Sequence, residues 1–171
     1  RAALMLRGLW RRDDPPKTQS AIVTNAAELA MASGRLVKAA FWFRLAIKTH
    51  SKNLHARYGL SMALLADGQF TRARKAFRSL KKLDPDIKVL RDDDALFVSP
   101  FSRHLYAAAL FESFGCTKVA QSHWAQFSKS TPRTPYSQTF QKYRALTKET
   151  STPESIRSWC QKGAAALSAA R

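Results

Sequence analysis

Histidine and cysteine are the residues of this 171-residue chain best suited to metal binding or nucleophilic catalysis, and their spacing supports neither. No histidine takes part in an HExxH-type pair or lies at ligand spacing from a cysteine. Cys116 and Cys160 have no second thiol at metal or redox spacing and no disulfide-dense framework around them, so we expect a reducing environment. The histidines are His50, His55, His104 and His123.

Other motifs that carry catalysis are also missing from the sequence. The Asp92 to Asp94 triplet could face a divalent cation, but it lacks the glycine and the closing glutamate of an EF-hand loop. There is no GxxxxGK[ST] phosphate loop, no GxSxG turn and no arrangement of Ser, His and Asp that indicates a triad. We therefore predict that the protein is not an enzyme and takes no cofactor, metal or small-molecule substrate.

Basic residues dominate the charge of the chain. It has 29 Lys and Arg against 12 Asp and Glu, a formal net charge of +17. From residue 29 to residue 83 there are 12 basic residues and one acid, Asp67. A solvated helix face usually mixes both signs, so this excess favours a polyanionic partner over an unpaired basic surface.

The hydropathy of the chain and the composition of its first residues bear on location. No run of 18 or more apolar residues occurs, so we predict no transmembrane segment. Arg1 to Arg12 contains four arginines and no acid among apolar residues. This composition resembles the end of an organelle transit peptide, and it equally fits an ordinary amphipathic helix.

An internal repeat in the sequence predicts the helices that carry the basic residues. Gly34 and Gly68 lie 34 residues apart, and Gly115 begins a third copy of the same pattern. Counted from each glycine, a small residue recurs at +5, an aromatic at +9 and an apolar residue at +12. A chain breaker or polar residue follows at +17. The matching sets are Ala39, Ala73 and Ala120; Phe43, Phe77 and Trp124; Ala46, Leu80 and Phe127; and Ser51, Pro85 and Pro132.

This spacing resembles the tetratricopeptide repeat family over roughly residues 20 to 132. The resemblance implies an all-α fold, an α-solenoid of about three helix pairs. First helices are expected at about 20 to 33, 53 to 66 and 101 to 114, and second helices at about 35 to 50, 69 to 83 and 116 to 130. Each glycine would lie in the turn of a pair, where φ is positive.

The sequence divides into three regions on this basis. Residues 1–19 are a basic segment with a proline linker, and residues 20–132 hold the repeats with an insertion at about 86–100. Residues 133–171 are expected to form capping helices over the open end of the stack, because a terminal repeat otherwise exposes its core.

Two surfaces follow from the repeat register. Basic residues recur at equivalent offsets on the second helices, which predicts a ridge that binds nucleic acid or another polyanion. The ridge comprises Lys38, Arg44, Lys48, Arg72, Lys75, Arg78, Lys82 and Lys129. The positions that line the groove in this family are mostly apolar here, which predicts a protein-binding groove or stacked core. They are Met31, His55, Tyr58, Met62, Leu65 and Leu105.

The preferred functional hypothesis is a scaffold subunit of an organellar ribonucleoprotein, the mitochondrial ribosome, on the matrix side. Its partners would be ribosomal RNA, contacted through phosphates, and neighbouring proteins. The first alternative is a peripheral subunit of a mitochondrial respiratory or ATP synthase complex, with the basic face against acidic subunits or lipid head groups. The second alternative is a soluble adaptor that binds a helical peptide.

Overall fold

The computed structural model describes residues 14–91, 100–130 and 161, and in these ranges the regular structure is helical, without strands. The six predicted repeat helices are confirmed, and their ends lie within four residues of the expected positions. A short helix, α5, lies in the predicted insertion. The helices are α1 Pro16–Ala32, α2 Leu36–Thr49, α3 Leu54–Ala66, α4 Phe70–Leu83, α5 Lys88–Arg91, α6 Pro100–Ser113 and α7 Thr117–Ser130. Residues 1–13 of the expected basic segment and linker at 1–19, most of the insertion and the capping helices expected at 133–171 lie outside the described residues. The last residues of that linker, from Pro16, belong to α1.

The three repeat glycines occupy the turns within the helix pairs, as predicted. Their φ angles are 71°, 76° and 78° at Gly34, Gly68 and Gly115, in the left-handed region. At Gly34 the next amide, that of Arg35, donates to the carbonyl oxygen of Ala30 over 2.9 Å. The same bond forms at the other two glycines, so each first helix ends in a Schellman motif.

These turns place the repeat positions in the interior. The alanines at +5 and the aromatic rings at +9 are all buried, as are Ala46 and Leu80 at +12. Phe127, at +12 in the third copy, is partly buried. A small residue at +5 lets the paired helices approach, and the ring at +9 fills the space beyond it.

Contacts divide the chain into two compact units, Arg1–Ala76 and Phe77–Arg171. In the first unit α1 packs on α2, and α2 packs on α3. Its core is rich in alanine, with Phe43 as the largest side chain of the cluster. A Cβ added to Gly59 of α3 would lie 2.3 Å from the Phe43 ring, so this glycine gives the ring its space. In the second unit α6 packs on α7 and contacts α5.

A buried carboxylate, that of Asp84, lies just before the insertion. Both oxygens of Asp84 accept hydrogen bonds from the backbone, at 2.8 Å from the Lys88 amide and 3.2 Å from the Val89 amide. These are orphan amides at the start of α5, so the carboxylate caps that helix. Ile87, between Asp84 and the helix, has a φ of 55°, which a β-branched residue rarely adopts.

Cys116 is buried and disulfide-bonded, a state that the spacing of the cysteines did not indicate. The reducing environment expected from the sequence stays a prediction, and this bond weighs against it. The chain contains one other cysteine, Cys160. Sequence spacing did not reveal this bond because a disulfide depends on the distance between residues in space. A disulfide is typical of an oxidising compartment.

A network of polar side chains joins α1, α2 and α3 in the first unit. The Asn53 side chain accepts from the Ala56 amide at 2.9 Å and so caps α3. Its Nδ2 donates to the hydroxyls of Ser20, at 2.8 Å, and Thr24, at 3.0 Å. Ser20 Oγ in turn donates to the carbonyl oxygen of Ala46 near the end of α2, at 2.7 Å. Both hydroxyl residues are buried, so Asn53 satisfies polar groups that water does not reach.

We expect Asn53→Ala to lower the free energy of unfolding by about 2 kcal/mol, because it removes a helix cap and a buried donor. Asn53→Asp keeps the cap but loses the donor, so it should also destabilise the protein. Urea denaturation followed by circular dichroism measures both changes. Ser33→Ala, at an exposed serine, is the matched control and should change stability little. If Asn53→Asp were as stable as the wild type, the hydrogen bond that caps α3 would by itself account for the contribution of Asn53 to stability.

Candidate polyanion-binding surface

All eight predicted ridge residues lie at the surface of the protein. Three are on α2, four on α4 and one on α7. Relative to the repeat glycines they occupy +4, +7, +10 and +14, whereas the buried residues occupy +5, +9 and +12. The same register that buries the core therefore directs these cations to solvent. Polyanion binding by them stays a prediction.

Helix α4 separates the two kinds of residue most clearly. Its Ala73, Phe77 and Leu80 are buried, while four of its six basic residues are spaced by three and four positions along the exposed side. Residues at these spacings share a helix face. The helix therefore presents a row of cations: Arg72, Lys75, Arg78 and Lys82.

The local contacts of these cations differ. Arg78 Nε donates to the carbonyl oxygen of Ser113 at the end of α6, at 3.2 Å, so this side chain also takes part in packing within the second unit. Arg72 donates to the side chain of Gln69 at 2.8 Å, at the surface. A substitution at Arg78 would therefore affect both charge and packing.

The predicted groove residues are mostly in the interior. Tyr58, Met62 and Leu65 of α3 have no exposed surface, and Leu105 of α6 is buried as well. Met31 and His55 are partly exposed. Burial gives the first four a packing role in this structure, and a partner could touch them only if the helices separated.

Among the other first-helix positions, Glu28 of α1 has an altered ionisation. Burial raises the pKa of its carboxyl from 4.5 to about 7. The ionised form is therefore disfavoured in the folded protein relative to the unfolded chain. Folding is penalised as the pH rises above 4.5, and the full penalty is present above about pH 7.

We expect Glu28→Gln to raise the free energy of unfolding at pH 8 by about 1 to 2 kcal/mol, a value reduced for partial solvent exposure, and to change it little at pH 4. Urea denaturation at the two pH values tests this. Asp86→Asn, at an exposed carboxylate, is the control. An equal gain from Glu28→Gln at both pH values would contradict the assigned ionisation.

The structure also brings together two histidines that sequence spacing had separated. His104 of α6 and His123 of α7 face each other with their Nδ1 atoms 3.1 Å apart, and the His123 ring stacks on Phe111. In the part of the chain that the structure describes, no three His, Cys, Asp or Glu residues come together as metal ligands. The pair therefore belongs to the contact between α6 and α7.

A second surface feature was not predicted. Val37 and Phe41 of α2 are 71% and 59% exposed. They line an open pocket of about 620 Å³ that also includes Arg35, Lys38 and Asp67. Their exposure could not be predicted, because an amphipathic pattern does not distinguish an apolar residue in the core from one at its margin.

The described residues form helix pairs that share three features: a left-handed glycine turn, a buried aromatic ring at a fixed offset and charged outer positions. These features are typical of a helical-repeat protein that binds other molecules. A family model described as a tetratricopeptide repeat matches residues 30–91, which include α2, α3 and α4. Residues 30–91 are therefore tetratricopeptide-repeat-like, and the predicted fold class, an all-α protein of the α-solenoid type, is confirmed. No curated protein and no solved structure gave a match.

The matched repeat indicates a broad role for the chain. Tetratricopeptide repeats are modules for protein interaction and scaffolding, and this is the function that the match supports. Among the described helices between residues 14 and 130, none has the length and apolar character that crossing a bilayer requires.

Proposed function

We propose that the protein is a non-enzymatic scaffold subunit of a mitochondrial ribonucleoprotein, with the ribosome of the matrix as the preferred assembly. Its ridge residues bind ribosomal RNA phosphates, and its other helix faces bind neighbouring proteins. The observation that carries this proposal is the exposure of all eight ridge residues at repeated offsets of the second helices.

Phosphate is the part of RNA that this surface suits. Lysine and arginine rows neutralise a regularly charged backbone and release its counterions, which yields affinity without reading sequence. Base reading by single-strand binders needs aromatic platforms. The aromatic residues at +9 are buried in all three repeats and cannot serve as such platforms. The proposed contacts are therefore led by charge and shape.

Charge reversal at Lys75, Lys82 and Lys129 should weaken binding to a structured RNA. The logarithmic salt slope should become shallower by about 2 to 3, because each phosphate that is no longer neutralised accounts for roughly 0.7 to 0.9 of that slope. Fluorescence anisotropy over a salt series measures both the affinity and the slope. These lysines are exposed, so the variant should keep its helical circular dichroism spectrum.

The matched control reverses three other exposed lysines that lie outside the ridge, Lys17, Lys52 and Lys118. It makes the same change in net charge. If both triple variants lost the same affinity, net charge and not the ridge would account for RNA binding, and the proposal would fail.

A second candidate is a peripheral subunit of a mitochondrial respiratory or ATP synthase complex, and the disulfide at Cys116 supports it for a subunit that faces an oxidising compartment. A disulfide persists more readily in an oxidising compartment than in a reducing one. The ridge would then face acidic subunits or anionic lipid head groups, for which the same cations are suited.

Sedimentation of the native assembly separates the two candidates. A ribonucleoprotein subunit should leave the fast-sedimenting fractions when detergent-solubilised mitochondria are treated with ribonuclease. Persistence in a large complex after complete digestion of RNA would reject the first candidate in favour of the second. A bona fide subunit of a respiratory complex, measured in the same gradient, provides the reference for unaffected sedimentation.

A further inference from the structure

We infer that the outer face of α2 docks an acidic amphipathic segment of a partner protein, with Val37 and Phe41 as its apolar anchors. These side chains are 71% and 59% exposed, at positions separated by one helical turn. The inference rests on the protein-binding part of the proposed function. It uses three ridge residues of α2, Lys38, Arg44 and Lys48, so an acidic partner and RNA would compete for these cations, whereas the ridge residues of α4 and α7 are left to RNA.

The other repeats show that the fold does not require apolar residues at these positions. Val37 is at +3 from its glycine, where the second and third repeats have Thr71 and Lys118. Phe41 is at +7, where they have Lys75 and Ser122. All four counterparts are polar and exposed. Packing therefore accounts for neither Val37 nor Phe41, and an exposed apolar pair of this kind indicates a contact surface.

The surroundings of the pair indicate the chemistry of the partner. Arg35 and Lys38 line the pocket beside the apolar side chains. Arg44 and Lys48 continue the same exposed face of α2 toward its C-terminal end, at three and seven residues from Phe41. An amphipathic helix with apolar anchors and acidic flanks would place its apolar side chains in the pocket and its carboxylates against this row.

The pocket suits a protein segment better than a nucleic acid. Its lining includes Asp67, an acidic residue whose negative charge would repel a phosphate backbone charged at every nucleotide. An amphipathic helix confines its acids to part of its surface and can avoid that carboxylate. Of the two apolar side chains, only Phe41 has a ring on which a base could stack, and a single exposed ring is not the series of platforms that single-strand binders use.

The chain's own terminal segments are poorly suited to the pocket. Residues 1–13 contain four arginines and one aspartate, and residues 131–171 contain seven basic residues and two acids. Both carry a net positive charge and would be repelled by Arg35 and Lys38. A second copy of a chain with a net charge of +17 is disfavoured for the same reason.

The test uses the full chain and a fluorescein-labelled peptide about five helical turns long, with Leu and Phe on one face and Glu on the other. A second peptide has Lys in place of every Glu. We expect the protein to bind the Glu peptide and not the Lys peptide. Replacing Val37 and Phe41 together by Ser should weaken binding at least about tenfold, because two apolar anchors are removed.

The matched control replaces Leu29 and Leu83 by Ser, since they are exposed apolar residues that do not line the pocket. It should bind the Glu peptide as the wild type does. A further variant, Arg35→Glu with Lys38→Glu, should lose the Glu peptide and gain the Lys peptide. Circular dichroism of each variant should match that of the wild type.

Several results would overturn the inference. One is equal loss of affinity in the Leu29 and Leu83 control, or no loss in the Val37 and Phe41 variant. Another is a loss of RNA affinity in the Val37 and Phe41 variant as large as its loss of peptide affinity, which would assign the face to nucleic acid. A third is conversion of a dimer to a monomer by that variant in sedimentation equilibrium, which would assign it to a second copy.

The variant reversed at Lys75, Lys82 and Lys129 separates this inference from the proposed function. It should bind the Glu peptide with unchanged affinity, since none of the three lysines lines the pocket. Absence of RNA binding in the wild-type protein, together with intact peptide binding, would reject the RNA proposal and leave the docking surface in place.

Discussion

The rest of the structure depends on the left-handed glycine turn that ends the first helix of each pair. With φ between 71° and 78°, the three glycines reverse the chain in the same way, and each closes a Schellman motif. A residue with a side chain adopts this conformation at a cost of about 1 to 2 kcal/mol. Because the turn fixes where the second helix begins, it fixes which side chains of that helix point inward.

Two families of positions follow from this one constraint. The residues at +5 and +9 are buried in all three repeats, and the basic residues at +4, +10 and +14 are exposed wherever they occur. The first family supplies the helix packing, with Asn53 joining α1, α2 and α3 through buried hydroxyls in the first unit. The second family supplies the surface on which binding is proposed.

The sequence was sufficient to predict what this register controls. Helix positions, the left-handed glycines and the exposure of Lys38 or Arg78 all follow from counting along the chain, because local turn chemistry and helical period determine them. What depends on distances across the fold was not predictable in the same way. The disulfide at Cys116 and the facing rings of His104 and His123 each require a neighbour remote in sequence. The sequence left Tyr58 and Met62 open between groove and stacked core, and their burial favours the core.

The pKa of a buried group also could not be predicted from residue spacing. The raised pKa of Glu28 arises from desolvation, which depends on how closely the surrounding helices pack. Likewise, the pattern that places Phe43 in the core gives no information on whether Phe41, two residues earlier, is covered. Its exposure is a property of the assembled surface.

The exposed positions +3 and +7 have a consequence for how such a protein can change over time. Val and Phe in the first repeat, Thr and Lys in the second, and Lys and Ser in the third all occupy these sites on the same helical framework. Substitutions there leave the turn and the core untouched, so they carry little cost in stability. The binding surface of one repeat can therefore change by substitution without a change in the fold or in the surfaces of the other repeats.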